Sequence, residues 1–136
     1  MLEIDKTLLD ALLEKATASE RRRMNFDLRT CATCPEAGLP VDGSQRMLNA
    51  LLPGTCVPVH RHPRSNENVL CLRGRLDEVL YAADGREVER ISLCPAEGRY
   101  GCVIPAGAWH TVEVLEPSVI YEAKDGRFGE DGSEDR

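Results

Sequence analysis

No stretch of this chain approaches the roughly 20 consecutive apolar residues that cross a membrane. Its opening residues, Met1-Leu2-Glu3-Ile4-Asp5-Lys6, lack the basic start and apolar core of a secretory signal, so the expectation is a cytoplasmic protein. Positive charge is not in excess either: 17 Lys and Arg face 23 Asp and Glu, a formal net charge of −6. That mild acidity gives no reason to expect nucleic acid or an anionic membrane as a partner. Internal repeats and long low-complexity blocks are missing, and 136 residues suit one domain with a single core. A second Cys-x-x-Cys is also missing. Cys31-Ala32-Thr33-Cys34 therefore has only half the ligands of a zinc site, and no βαβ pattern surrounds it as in a redox protein. Cys31, Cys34, Cys56, Cys71, Cys94 and Cys102 are expected to be reduced thiols, several serving as small apolar groups in strands.

Histidine is scarce, and its scarcity is informative. The chain has three, and all fall in one pattern with a glutamate: His60, His62, Glu67 and His110. A strand alternates its faces, so His60 and His62 point the same way. Glu67 follows a short turn, and His110 follows the turn Pro105-Ala106-Gly107-Ala108-Trp109. Imidazole is the commonest side-chain metal ligand, so the four are candidate ligands of a divalent transition metal.

Around this pattern the texture divides in two. Leu8, Leu9, Leu12, Leu13 and Ala16 recur at helical spacing, which predicts one amphipathic helix over 5–18 capped by Asp5 or Thr7. Arg21-Arg22-Arg23 reads as a solvated helix end, and 30–44 reads as a loop. From Gln45 onward short β-type runs appear near 46–52, 55–60, 67–73, 75–82, 87–93, 100–105, 109–115 and 118–124. Asp84-Gly85 signals a hairpin, Gly74 a second tight one, and Glu116-Pro117-Ser118 a further turn. About eight strands with frequent turns predict an all-β sandwich or barrel. The division is 1–44 as helix and loop packing on the barrel, 45–124 as the barrel, and 125–136 as a disordered acidic tail.

Gly54, His60, His62, Glu67 and Gly74 match, without a gap, the first motif of the cupin superfamily, which the chain resembles. Pro105, Gly107 and His110 match the second; its opening glycine falls at Arg99 and its closing asparagine at Val114. The resemblance implies an all-β double-stranded β-helix, or jelly-roll barrel, with an N-terminal α-helix and one metal ion held near the mouth. Gln45-Arg46-Met47-Leu48-Asn49-Ala50-Leu51, His60-Arg61-His62-Pro63 and Ile104-Pro105-Ala106-Gly107-Ala108-Trp109-His110 further resemble WbuC-type cupin metalloproteins, found near bacterial surface-sugar gene clusters. Asn66 stands where those proteins more often carry an aromatic residue. A homodimer and a small-molecule ligand are implied by the same likeness.

Three imidazoles and a carboxylate suit zinc, iron, manganese, nickel or cobalt, with open positions for an oxygen ligand. The chemistry left open is Lewis-acid isomerisation or epimerisation of a sugar or nucleotide sugar, non-catalytic ligand binding, or ferrous dioxygenation. Strand parity puts Val69, Cys71 and Arg73 on the face of Glu67, Val112 and Val114 on that of His110, and Cys56 and Pro58 on that of His60. The expected cavity is therefore largely apolar and has no acid–base residue beside the ligands. Tyr81, Tyr100 and Tyr121 are the candidate proton donors, and Trp109 is expected to face out of the barrel.

Overall fold

The leucine stripe forms helix α1 (Lys6–Ala18), capped by the Asp5 carboxylate, which accepts the Leu8 N–H at 2.9 Å. Leu9, Leu12 and Ala16 are buried against Leu48, Ala50, Leu52 and Val119 of the sheet. The computed structural model describes residues 1–136 apart from Phe128. Within these it has eight strands: β1 (Arg23–Asp27), β2 (Ser44–Leu51), β3 (His60–Arg61), β4 (Glu67–Tyr81), β5 (Glu87–Leu93), β6 (Gly101–Ile104), β7 (Trp109–Asp125) and β8 (Glu134–Asp135). They form one eight-stranded antiparallel sheet curled into a barrel of the jelly-roll kind, as expected from the cupin motifs.

Several elements differ from the sequence expectation. β1 was not anticipated; the arginine run feeds directly into it, and it pairs along β2 from Arg23↔Leu51 to Asp27↔Met47. The run at 55–60 yields only the two-residue β3, because Thr55–Val59 is irregular and Pro58 has no N–H for a ladder. The expected hairpin at Gly74 does not form. Instead 67–81 is one continuous strand whose register against β7 slips between Cys71 and Leu76. The expected turn at Glu116-Pro117-Ser118 is likewise a bend inside the single strand β7.

These two bends face each other, and Gly74 is what allows it. Its φ is +98°, and a Cβ there would lie 2.3 Å from the Pro117 carbonyl oxygen and 2.3 Å from Ser118 Oγ. Both long strands thus fold over at one place without separating. β7 is the spine: it pairs with β2 through its second half, with β3 at His60↔His110, and with β4 along most of its length.

Two apolar clusters result. One lies between α1 and the outer face of the sheet. The other fills the barrel with Leu51, Val69, Cys71, Leu76, Leu93, Ile104, Val112 and Ile120. All six cysteines are free thiols. Among the described residues, no helix is long and apolar enough to cross a membrane. The segment 125–136, expected to be disordered, is laid along the barrel instead. Glu134–Asp135 pairs with β3, the Arg136 N–H bonds the Val59 carbonyl at 2.7 Å, and Asp131 is buried; Phe128 lies outside the described residues.

Candidate metal centre

The barrel brings His60, His62, Glu67 and His110 together, as their spacing predicted. One ligand atom from each lies within 4.8 Å of all the others. β3 presents His60 directly beside His110 of β7, with ring centroids 4.2 Å apart. His62 leaves the end of β3 and meets Glu67, the first residue of β4; its Nε2 is 2.7 Å from Glu67 Oε2. His110 Nε2 is 4.0 Å from the same oxygen.

The other ring nitrogens are already engaged. His60 Nδ1 is 2.8 Å from the Pro58 carbonyl and His110 Nδ1 is 2.9 Å from the Ala108 carbonyl. His62 Nδ1 is 2.7 Å from the Ser133 hydroxyl. A carbonyl can only accept, so Nδ1 of His60 and of His110 carries the hydrogen, and Nε2 of each is left with a free lone pair. His110 Nε2 is buried and has no hydrogen-bond partner among the described residues. A buried, unpaired imidazole nitrogen costs free energy unless something occupies its lone pair. The residues fit a cation.

The electrostatics agree with that fit. Burial, aided by the neighbouring His60, pushes the His110 imidazole down to about 4, so it is neutral at neutral pH, as a ligand must be. Burial alone would raise Glu67, but the neighbouring His62, with His110 and His60 behind it, outweighs it and holds the carboxyl below its ordinary range.

The space behind the ligands is not the apolar pocket that strand parity suggested. A cavity of about 30 Å³, enough for an ion or one or two waters, is bounded by Asn49, Val57, His60, Glu67, Glu78, His110, Thr111, Val112 and Glu122. Glu78 and Glu122 are two carboxyls that the sequence reading did not single out. Burial, then the negative charges of Glu67 and Glu122, raise Glu78 well above the usual carboxylate range. Burial and the charge of Glu67 push Glu122 up to about 8, with the Asn49 side chain and Lys124 opposing. Both carboxyls therefore hold protons where an ordinary glutamate would not.

Their absence from the expectation has a structural cause. On β4 the inward residues are Glu67, Val69 and Cys71, but past the register slips they become Leu76, Glu78 and Leu80. The slip exchanges odd for even. On β7 parity holds through the bend, and His110, Val112, Ile120 and Glu122 all face inward. Carrying the alternation past Pro117 would have found Glu122.

Other expected positions are corrected. Arg73 turns out of the barrel and pairs with Asp10 of α1 at 2.6 Å. Cys56 is exposed, and Val57 rather than Pro58 packs on the barrel core, because 55–59 is not a strand. Tyr100 is exposed, Tyr121 packs on the α1 cluster, and neither they nor Tyr81 borders the cavity. Trp109 faces outward as expected, with the guanidinium of Arg61 4.6 Å from its ring centre and that of Arg136 5.3 Å away. Cys31 and Cys34 lie outside the ligand group.

Comparison with known proteins adds family and fold. Residues 4–93 match a family model described as "Domain of unknown function (DUF6016)". No curated protein matches the chain. Among solved structures, oxalate oxidase in complex with the substrate analogue glycolate aligns with a TM-score of 0.61 at 18% identity, over 96% of this chain and 64% of that one. The capsular polysaccharide assembling protein CapF from Staphylococcus aureus aligns at 0.55 and 21%, over 66% of this chain and 26% of that one. Oxalate decarboxylase from Lactobacillus farciminis aligns at 0.58 and 16%, over 82% and 30%. The chain thus spans about a quarter of CapF and less than two thirds of the oxidase. At these identities the likeness bears out the cupin jelly roll and leaves the reaction open.

Proposed function

Because the chain belongs to the DUF6016 family, which brings no assigned reaction with it, we propose from its own residues that it is a metal-dependent cupin of the WbuC type. His60, His62, Glu67 and His110 would hold one divalent transition metal ion. The observation that carries this reading is the unpartnered, buried His110 Nε2 within a group of four converging donors whose other ring nitrogens are all spoken for.

An ion bound there supplies Lewis acidity toward an oxygenated substrate. The chain supplies the proton chemistry. Glu122 and Glu78 border the same cavity; Glu122, raised to about 8, can give a proton to a substrate atom and take one back, and Glu78 is raised beside it. Isomerisation and epimerisation need that pairing of polarisation with a returnable proton. These carboxyls weigh against a purely binding role, which rested on there being no acid–base group. With about 30 Å³ available, the substrate presents its reacting oxygens at the mouth and does not enter whole. The sugar or nucleotide-sugar assignment is supported by the WbuC-type motifs and by a capsular polysaccharide assembling protein among the structural neighbours. The same small cavity favours a second reading, ferrous activation of dioxygen, which consumption of oxygen on adding substrate would reveal.

The six free thiols support a reducing, cytoplasmic setting. A homodimer is supported by Leu70, Leu72 and Val103, exposed together on the outer face of β4 and the edge strand β6.

The test is metal content by mass spectrometry on protein purified without added metal, beside Glu67→Ala and His110→Ala. Near one equivalent in wild type, lost in both variants, is the expected result. Well-folded wild type that carries no metal and refuses zinc, iron, nickel and manganese would overturn the reading. Incorporation of solvent deuterium into a candidate nucleotide sugar, abolished in Glu122→Gln, would then place the proton step.

A further inference from the structure

The three histidines are not oriented in the same way. His60 and His110 each use a main-chain carbonyl two residues earlier in their own segment, Pro58 and Ala108. His62 has no such local partner. It relies on Ser133, 71 residues further along the chain.

Ser133 is itself fixed. Its Oγ lies 2.6 Å from both carboxylate oxygens of Asp131, and its N–H donates to Asp131 Oδ1 at 3.1 Å. Asp131 is 4% exposed and ion-paired to the Lys124 ammonium, which also donates to the Gly126 carbonyl at 3.3 Å. Paired with the Lys124 ammonium and accepting the Ser133 N–H, Asp131 stands as a carboxylate. Lys124 sits in β7, the strand that carries His110.

An ionised carboxylate can only accept, so the Ser133 hydroxyl must donate to Asp131. The lone pairs of Oγ are then the ones that face His62, and Nδ1 must be the donor. The direction of every hydrogen bond in the line is set by its charged end.

We propose that Lys124, Asp131 and Ser133 form an orienting relay that fixes the tautomer and ring angle of His62, so that the segment after β7 is part of the metal centre. This rests on the metal-binding reading above. Ser133 and Asp131 are positioning residues; they touch the ligand and not the ion. Hydrogen-bonded partners of metal-ligating histidines commonly govern affinity by 10- to 100-fold. This relay differs from a main-chain partner in that single side-chain changes can remove it.

The experiment measures zinc affinity by competition with a chromophoric chelator, and the visible spectrum of the cobalt-substituted protein, for wild type, Ser133→Ala, Ser133→Thr, Asp131→Asn and Arg61→Ala. Arg61→Ala is the control. It breaks the 2.7 Å ion pair between Arg61 and Glu134 and the stack on Trp109, loosening the same segment while leaving Lys124, Asp131 and Ser133 in place. Expected is a loss of roughly 10- to 100-fold in zinc affinity with an altered cobalt spectrum for Ser133→Ala and Asp131→Asn, near-wild-type values for Ser133→Thr, and a wild-type cobalt spectrum for Arg61→Ala. Wild-type affinity and spectrum in both Ser133→Ala and Asp131→Asn would overturn the relay while leaving the metal site standing. Equal losses in Arg61→Ala and Ser133→Ala would also overturn it, since docking of the segment alone would then explain the effect. Folded wild type that binds neither zinc nor cobalt would overturn the metal reading itself.

Discussion

Glu67 and His110 ride on β4 and β7, strands of 15 and 17 residues paired with each other along most of their length. His60 and His62 ride on β3, which has two residues, and just beyond its end. β3 is held at a single pair to β7 and at two pairs to β8. One half of the site therefore belongs to the barrel frame, and the other is held by side chains and by a segment that folds back from 125 onward. Long ladders place donors where the fold dictates. A short ladder must be supplemented, and here that is done by Ser133, by Arg61 with Glu134, and by Arg136 near Trp109.

The largest effect should come from breaking the frame. Gly74→Ala would put a Cβ into the Pro117 carbonyl and Ser118 side chain at a positive φ, at a cost of about 2–5 kcal/mol. Urea denaturation should show that loss. If stability is unchanged, the mutual bend of β4 and β7 is not what holds Glu67 and His110.

Next in size is a pH effect on the same frame. Glu122 has its folded-state carboxyl raised to about 8 from an ordinary 4.5. Between those values it is neutral when folded and ionised when unfolded. Unfolding then releases a proton, so metal-free stability is full below about 4.5 and falls as pH rises toward 8. Melting temperatures across that range should decline in wild type, and Glu122→Gln should flatten the slope.

Arg61→Ala should act on the thin half alone. Amide exchange should quicken at His60, Arg61 and Glu134 and stay slow along β4 and β7. Spreading of fast exchange into β7 would mean the two halves are one cooperative unit. The smallest effect is expected from Arg73→Ala, which removes a solvent-screened pair with Asp10 and should leave the urea midpoint nearly unchanged. Zinc affinity should not change, and any change would restore Arg73 as a site residue.

How far the sequence was legible follows the same division. The four converging side chains were readable because cupin spacing is tight and histidine is rare. α1 was readable because Leu8, Leu9, Leu12, Leu13 and Ala16 keep one period for three turns. Gly74 and Pro117 misled because both residue types usually end strands, and here they bend two strands around each other. From that one error followed the loss of Glu78, whose face depends on counting through the slip. The acidic composition of 125–136 pointed to disorder. Its order comes from partners outside it, Lys124 just before and His62 and Arg61 far back in the chain, and no local pattern announces the last two.

Cys71, described above only as part of the barrel core, is also a clock. Burial pushes its thiol up to about 11, so near neutral pH it is both hidden and almost wholly protonated. Cys56, by contrast, is exposed. A brief pulse of an alkylating reagent will mark Cys56 on every molecule, and Cys71 only on those whose barrel has come apart during the pulse. The ratio of the two labels, read by mass spectrometry, times the opening of the barrel from inside, with no probe added to the chain.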